Sequence, residues 1–217
     1  MTITFKGHSC FTIGISRGKQ EQVRILIDPY GPETGFRLSP QEADILLVTH
    51  DHADHNNTGA VKGDPVLITH PGEYEVRGVF VQGISSYHDN VKGSERGENT
   101  IYVVEDESLR VCHLGDLGQD ELTPEQVEQI GNVDVLMIPV GGTYSLDAVA
   151  ASRVVSQIEP RIVVPMHYAL PKFKVKVDGV EKFLKVMGVK EEDPQPKLVL
   201  KGRDAEEGVS VVVLKQL

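Results

Sequence analysis

Apolar residues fall in short runs through the first half of the chain, and the pattern changes after about residue 120. Residues 2–6, 10–15, 23–27, 45–48, 66–69, 79–84, 100–104 and 110–114 are short, rich in β-branched and aromatic side chains, and predict strands. Glycines around residues 14–18 and 93–97 mark turns between some of them. Ser39-Pro40-Gln41-Glu42 has the spacing of a capping box and predicts a short helix. Thr123-Pro124-Glu125-Gln126 is a second capping box with Pro at the first helical position, and Gly131 ends the helix it opens. There follow a buried strand over 135–139, a helix over about 145–158 and a strand over 162–165. A third helix opens at 178–181 and stops at Gly188, and strands near 197–200 and 209–214 complete the pattern. Many strands early and strand–helix alternation later predict an α/β protein, with sheets carrying helices on the outside. With no repeat, low-complexity segment or linker, residues 1–217 read as one domain.

Composition narrows the class. At 217 residues, with 40% hydrophobic and 25% charged side chains, the chain can bury a core without disulfides or a structural metal. The longest apolar runs are far too short to cross a bilayer, and Met-Thr-Ile-Thr-Phe-Lys-Gly-His has no charged-then-apolar leader pattern. The expectation is a cytoplasmic protein with no membrane contact. Cys10 and Cys112 lie in strand-like runs and read as buried free thiols. The net charge of −10 argues against a broad nucleic-acid footprint. A small molecule is the expected partner.

The chemistry concentrates in Thr49-His50-Asp51-His52-Ala53-Asp54-His55-Asn56. The segment follows the apolar run 45–48, so its residues stand at the C-terminal end of a strand, where α/β proteins place their sites. Three imidazoles and two carboxylates so close together need partners if buried and give no folding advantage if exposed. A divalent cation supplies the missing charge.

His50-x-His52-x-Asp54-His55 resembles the signature of the metallo-β-lactamase superfamily, and other parts of that family's pattern occur in order. The resemblance implies that His50 and His52 bind one metal, while Asp54 and His55 bind a second. Asp28, in Leu26-Ile27-Asp28-Pro29, is similar to the upstream Asp that braces the metal loop. Tyr87-His88-Asp89 resembles the segment carrying the third His of the first metal, with His70 as its rival. Asp116, in Leu114-Gly115-Asp116, resembles the carboxylate that bridges both metals; a plain turn Asp is the competing reading. His167, in Pro165-Met166-His167-Tyr168, resembles the late His of the second metal. The resemblance covers residues 1 to about 170 and implies the four-layer αββα sandwich. It is closest to the small intracellular branch of ascorbate-6-phosphate lactonase-like and ribonuclease-Z-like proteins, which Gly7-His8-Ser9-Cys10-Phe11 and Pro139-Val140-Gly141-Gly142 also fit. Asp116 replaces the Cys of zinc β-lactamases, His52 stands where flavodiiron proteins carry Glu, and Gln119 stands where close relatives carry His.

The activity this resemblance implies is hydrolysis. Two metals about 3.5–4 Å apart ionise a bridging water near neutral pH, and that hydroxide attacks a lactone, thioester or phosphodiester. Asp116 would hold both ions and orient the hydroxide, and Asp54 would also serve as proton acceptor. The N/O ligand set makes zinc the default, with manganese, iron and nickel compatible. The alternatives are an iron-dependent oxidoreductase on the same fold and a metal-bound binding module without turnover. His8 and His113 read as packed or supporting residues, with His8 the better placed for substrate. Lys172-Phe173-Lys174-Val175-Lys176-Val177 has two readings: an edge strand whose lysines discourage pairing, or a site-side segment whose Lys172 and Lys174 attract an anionic substrate.

Overall fold

A computed structural model describes residues 1–18, 21–106, 109–190, 192–202 and 208–217. The first sheet contains β1 (Thr2–Gly7), β2 (Cys10–Arg17), β3 (Glu21–Ile27), β5 (Ile45–Leu47), β7 (Val66–Ile68) and β14 (Leu198–Val199), in the order β14-β1-β2-β3-β5-β7. The second contains β8 (Gly72–Val76), β9 (Val79–Tyr87), β10 (Glu98–Glu105), β11 (Arg110–His113), β12 (Val135–Pro139), β13 (Ile162–Met166) and β15 (Ser210–Val211), in the order β15-β13-β12-β11-β10-β9-β8. A two-stranded ribbon pairs β4 (Gln41–Glu42) with β6 (Val61–Lys62). The helices are α1 (Pro124–Ile130), α2 (Ala148–Ile158) and α3 (Val180–Val186).

Alternation along the strands sorts residues between the two faces. In the first sheet Phe11, Ile25, Ile45 and Leu47 join the main core, while Cys10, Leu26 and Leu46 form a separate cluster with Tyr30, Phe36 and Ala43. β12 is buried along its whole length because helices cover its outer face. α1 packs on β9, α2 on β12, and α3 on α2. The capping box over Thr123 and Gln126 is formed in full, and Gly131 ends α1 at φ 61°. The architecture is the expected α/β sandwich, except that the described residues over the outer face of the first sheet are loop, a 3₁₀ turn (Pro32–Thr34) and Val61 of β6 rather than α-helix.

Other expectations change. No helix follows Ser39: Gln41 and Glu42 enter β4, and β5 begins at Ile45, leaving too few residues to offset the cost of nucleating a helix. α2 starts at Ala148, because the Asp147 carboxylate caps it by accepting from the amides of Val149 and Ala150. β2 continues through Gly14 to Arg17, and β8 is an additional edge strand that pairs with β9. The lysine segment forms no strand. Lys172 has φ 74°, Phe173 stacks on Phe36 with centroids 5.1 Å apart, and the Lys174 amide donates to the Thr34 carbonyl at 2.8 Å. The edge-strand reading therefore gives way to a strap pinned by one aromatic ring. No described helix is long and apolar enough to cross a membrane.

β3, β5 and β7 run parallel, as do β11, β12, β13 and β15. Asp28, the His50–His55 segment, Asp116 and His167 follow the C-terminal ends of β3, β5, β11 and β13. His88 follows β9, and His8 lies in the β1–β2 turn. The His167 amide donates to the His8 carbonyl at 2.9 Å, joining the two sheets at this edge.

Candidate metal centre

The centre begins with Asp28, fully buried and held at φ 47°. Its carboxylate accepts from the Thr49 amide at 2.8 Å, the Thr49 hydroxyl at 2.7 Å and His55 Nδ1 at 3.0 Å. The Thr49 hydroxyl also lies 2.9 Å from His50 Nδ1. Its single hydrogen is committed to Asp28, so it accepts from His50 Nδ1–H. One carboxylate thus sets the tautomers of His50 and His55, directing the Nε2 lone pair of each into the centre. His50 Nε2 is buried without a hydrogen-bond partner, and the buried His55 Nε2 faces the Asp116 carboxylate 3.1 Å away. Such atoms suit a metal and little else. Thr49→Val removes the link to His50 at nearly constant volume; metal affinity, measured by competition with a chelator, is expected to fall roughly 10–100-fold.

The remaining groups converge on Asp116. Its Oδ2 lies 3.0 Å from His167 Nε2, 3.1 Å from His55 Nε2 and 3.4 Å from His88 Nε2. Its Oδ1 accepts from the Ser9 hydroxyl at 3.3 Å, and its amide donates to Asn99 Oδ1 at 3.0 Å. Asn99 also donates to the Leu114 carbonyl and the Ser86 hydroxyl, so the Gly115–Asp116 turn is pinned to β9 and β10. Burial opposes ionisation of Asp116, but His167 and His55 outweigh it and hold the carboxyl well below the ordinary range. Burial holds His50 well below the usual imidazole range and lowers His88, which favours the neutral form that metals bind.

The structure brings His50, His52 and His88 together with ligand atoms within 4.8 Å of one another, and His8, His55 and His167 likewise. Asp54 Oδ2 lies 4.0 Å from His55 Nε2 and 3.2 Å from His8 Nε2. His70 is exposed and outside these clusters. His8 is fully buried and does not line the cavity over the centre, so its expected contact with substrate gives way to a contact with Asp54. Burial, then His167 and His55, lower its pKa to about 4. His113 is a packed residue: Nε2–H donates to the Ser9 carbonyl at 2.9 Å, and Nδ1 accepts from the Gly115 amide at 3.1 Å.

Gln119 proves to be a brace. Its side-chain oxygen accepts from the Tyr87 amide at 2.9 Å, and its amide pairs with Gln126 of the α1 capping box. Beside it the Gly118 amide donates to the Tyr87 carbonyl. A Cβ on Gly118 would fall 2.4 Å from the His88 carbonyl carbon, so only glycine lets this loop hold His88 so closely.

A cavity of ≈ 710 Å³ opens over the centre, lined by His52, Asp54, His88, Asp116 and His167 on its floor and by Glu95, Arg96, Tyr144, Lys174, Val175 and Lys176 on its walls. Lys172 does not line it. Arg96 and Tyr144 were not marked by the sequence. Thr49, Ser9 and Lys176 lie in segments it singled out, but none was given a role of its own there.

Two facing sheets with a His/Asp centre at their strand ends define a metal-binding α/β sandwich. The chain belongs to the β-lactamase superfamily: a family model described as the Beta-lactamase superfamily domain matches residues 2–167. It is 33% identical to a UPF0173 protein of Pyrococcus furiosus, over 77% of this chain and 83% of that one. It is 30% identical to a UPF0173 metal-dependent hydrolase of Thermococcus onnurineus, over 76% and 84%. Among solved structures it is similar to a Thermotoga maritima protein assigned to the Zn-dependent hydrolases of the metallo-β-lactamase superfamily. That match has a TM-score of 0.78 and 36% identity, and covers 99% of each chain.

Proposed function

We propose that the protein is a metal-dependent hydrolase that cleaves an ester-like bond (lactone, thioester or phosphodiester) in a small molecule, using two divalent ions. His50, His52 and His88 hold one ion; Asp54, His55 and His167 hold the other; Asp116 joins them. The observation that carries this reading is the position of Asp116 Oδ2, within 3.4 Å of imidazole nitrogens from both sets. When bound, such a pair of ions supplies a hydroxide nucleophile near neutral pH and polarises the oxygen under attack. Asp116, fixed by Ser9 and Asn99, would orient that nucleophile toward the cavity. Asp54, half-buried on the cavity floor, would take up the proton given up by the attacking water; burial opposes its ionisation, but the His8 contact outweighs this and keeps it a carboxylate. The N/O donor set favours zinc, and accepts manganese, iron or nickel.

Elemental analysis of protein purified without chelator is expected to give about two divalent ions per chain. A stoichiometry below one after reconstitution at neutral pH would remove the paired-ion reading. Loaded protein should turn over at least one member of a panel of lactones, thioesters and phosphodiesters. Tightly held iron with oxygen consumption would point instead to oxidative chemistry, and full metal loading with no turnover to a binding role. A reducing cytoplasmic location fits Cys10 and Cys112, both fully buried with thiol pKa values pushed up by burial.

A further inference from the structure

The cavity walls carry a charge pattern at odds with the rest of this acidic chain. Arg96 stands on one wall, and Lys174 and Lys176 on the strap, against a single carboxylate, Glu95. Elsewhere Arg24, Arg77, Arg110, Arg153, Arg161 and Lys182 are engaged by carboxylates, and unpaired cations such as Lys6, Arg37 and Lys62 line no part of this cavity. Among the described residues, Arg96, Lys174 and Lys176 have no carboxylate partner. Arg96 is nonetheless held in place. Its guanidinium lies 5.2 Å from the centroid of the Tyr144 ring, a cation–π contact, and its amide donates to Asp89 at 2.8 Å. The same Asp89 carboxylate accepts from the amides of Val91, Gly93 and Glu95, which fixes the whole loop that presents Arg96. The strap is fixed by Phe173, and the exposed Lys174 and Lys176 follow it.

We propose that these three cations form an oxyanion subsite, and that the substrate carries a carboxylate or phosphate group remote from the bond that is cut. This rests on the hydrolytic reading of the centre and specifies its substrate class. A neutral substrate would leave three unpaired cations facing its flank, whereas a remote oxyanion would be oriented by charge-assisted hydrogen bonds, bidentate from Arg96. A cavity of ≈ 710 Å³ suits a small molecule with both groups.

The test uses non-hydrolysable probes and calorimetry on metal-loaded protein of measured metal content. Butyrate offers one carboxylate, to the metals; glutarate and 3-phosphonopropionate add a second oxyanion for the walls. Either doubly charged probe should bind about tenfold more tightly than butyrate, a margin that shrinks as salt shortens the Debye length below about 8 Å. The Arg96→Ala/Lys174→Ala/Lys176→Ala variant should lose that margin while keeping its metal and its butyrate affinity. Arg96→Gln alone should lose part of it, and Lys172→Ala, outside the cavity, none. Equal affinity for all three probes in metal-loaded wild type, or a margin that survives in the triple variant, would overturn the subsite. Failure to take up metal would instead overturn the hydrolytic reading.

Discussion

Replacing Asp116 by Asn is expected to lower turnover about a thousandfold, roughly 4 kcal/mol of transition-state stabilisation, and to lower metal content with it. The cause is chemical rather than steric. The carboxylate lies within 3.4 Å of three imidazole nitrogens, and an amide there would turn a donor toward lone pairs that should face metal. The backbone would hold, because the Asp116 amide is tied to Asn99 through an atom the substitution does not touch. A normal circular dichroism spectrum with lost metal and lost activity is the expected result. Wild-type activity in this variant would remove Asp116 from the chemistry.

The second large effect separates stability from metal affinity at Asp28. Asp28→Ala removes a buried acceptor and leaves the Thr49 amide and His55 Nδ1–H without partners. Alanine also gains nothing at φ 47°, a region L-residues disfavour. A loss of about 3–5 kcal/mol is expected, lowering the melting temperature by roughly 6–20 °C for a chain of this size. Asp28→Asn should behave differently. Its oxygen can still accept from the Thr49 amide, so most of the fold stability remains. Its NH₂ would face His55 Nδ1 and drive that ring into the other tautomer, with the proton on Nε2, where the metal lone pair is needed. Near-native thermal unfolding combined with a large loss of metal would identify Asp28 as the group that sets the tautomer. Equal loss of stability in both variants would reduce it to a packing residue.

Most parts of this centre that were legible in the sequence follow a strongly apolar run; His88, after Ser85-Ser86-Tyr87, was legible through the resemblance alone. His50, Asp116 and His167 could be placed because the strands before them are buried and unambiguous, and family resemblance then gave each a role. The tautomer chain from Asp28 through Thr49 to His50 leaves no mark in spacing, since it depends on where one hydroxyl hydrogen points. Arg96 and Tyr144 meet only because the Asp89 carboxylate gathers four amides into a loop, a tertiary event without periodicity. β8 escaped for a related reason: Gly72-Glu73-Tyr74-Glu75-Val76 is polar and largely exposed, and becomes a strand through its pairing with β9. The helix expected after Ser39 failed because a cap cannot supply the residues that β5 had already claimed.

Each proposed ligand set is divided between the sheets. His50, His52, Asp54 and His55 leave the first sheet from β5, whereas His88 and His167 leave the second from β9 and β13. An ion in either position would act as a rivet through the seam of the sandwich, with its affinity and the alignment of the sheets linked as one thermodynamic quantity. A core substitution that slides one sheet against the other, even far from the centre, would pull each coordination shell apart along that seam.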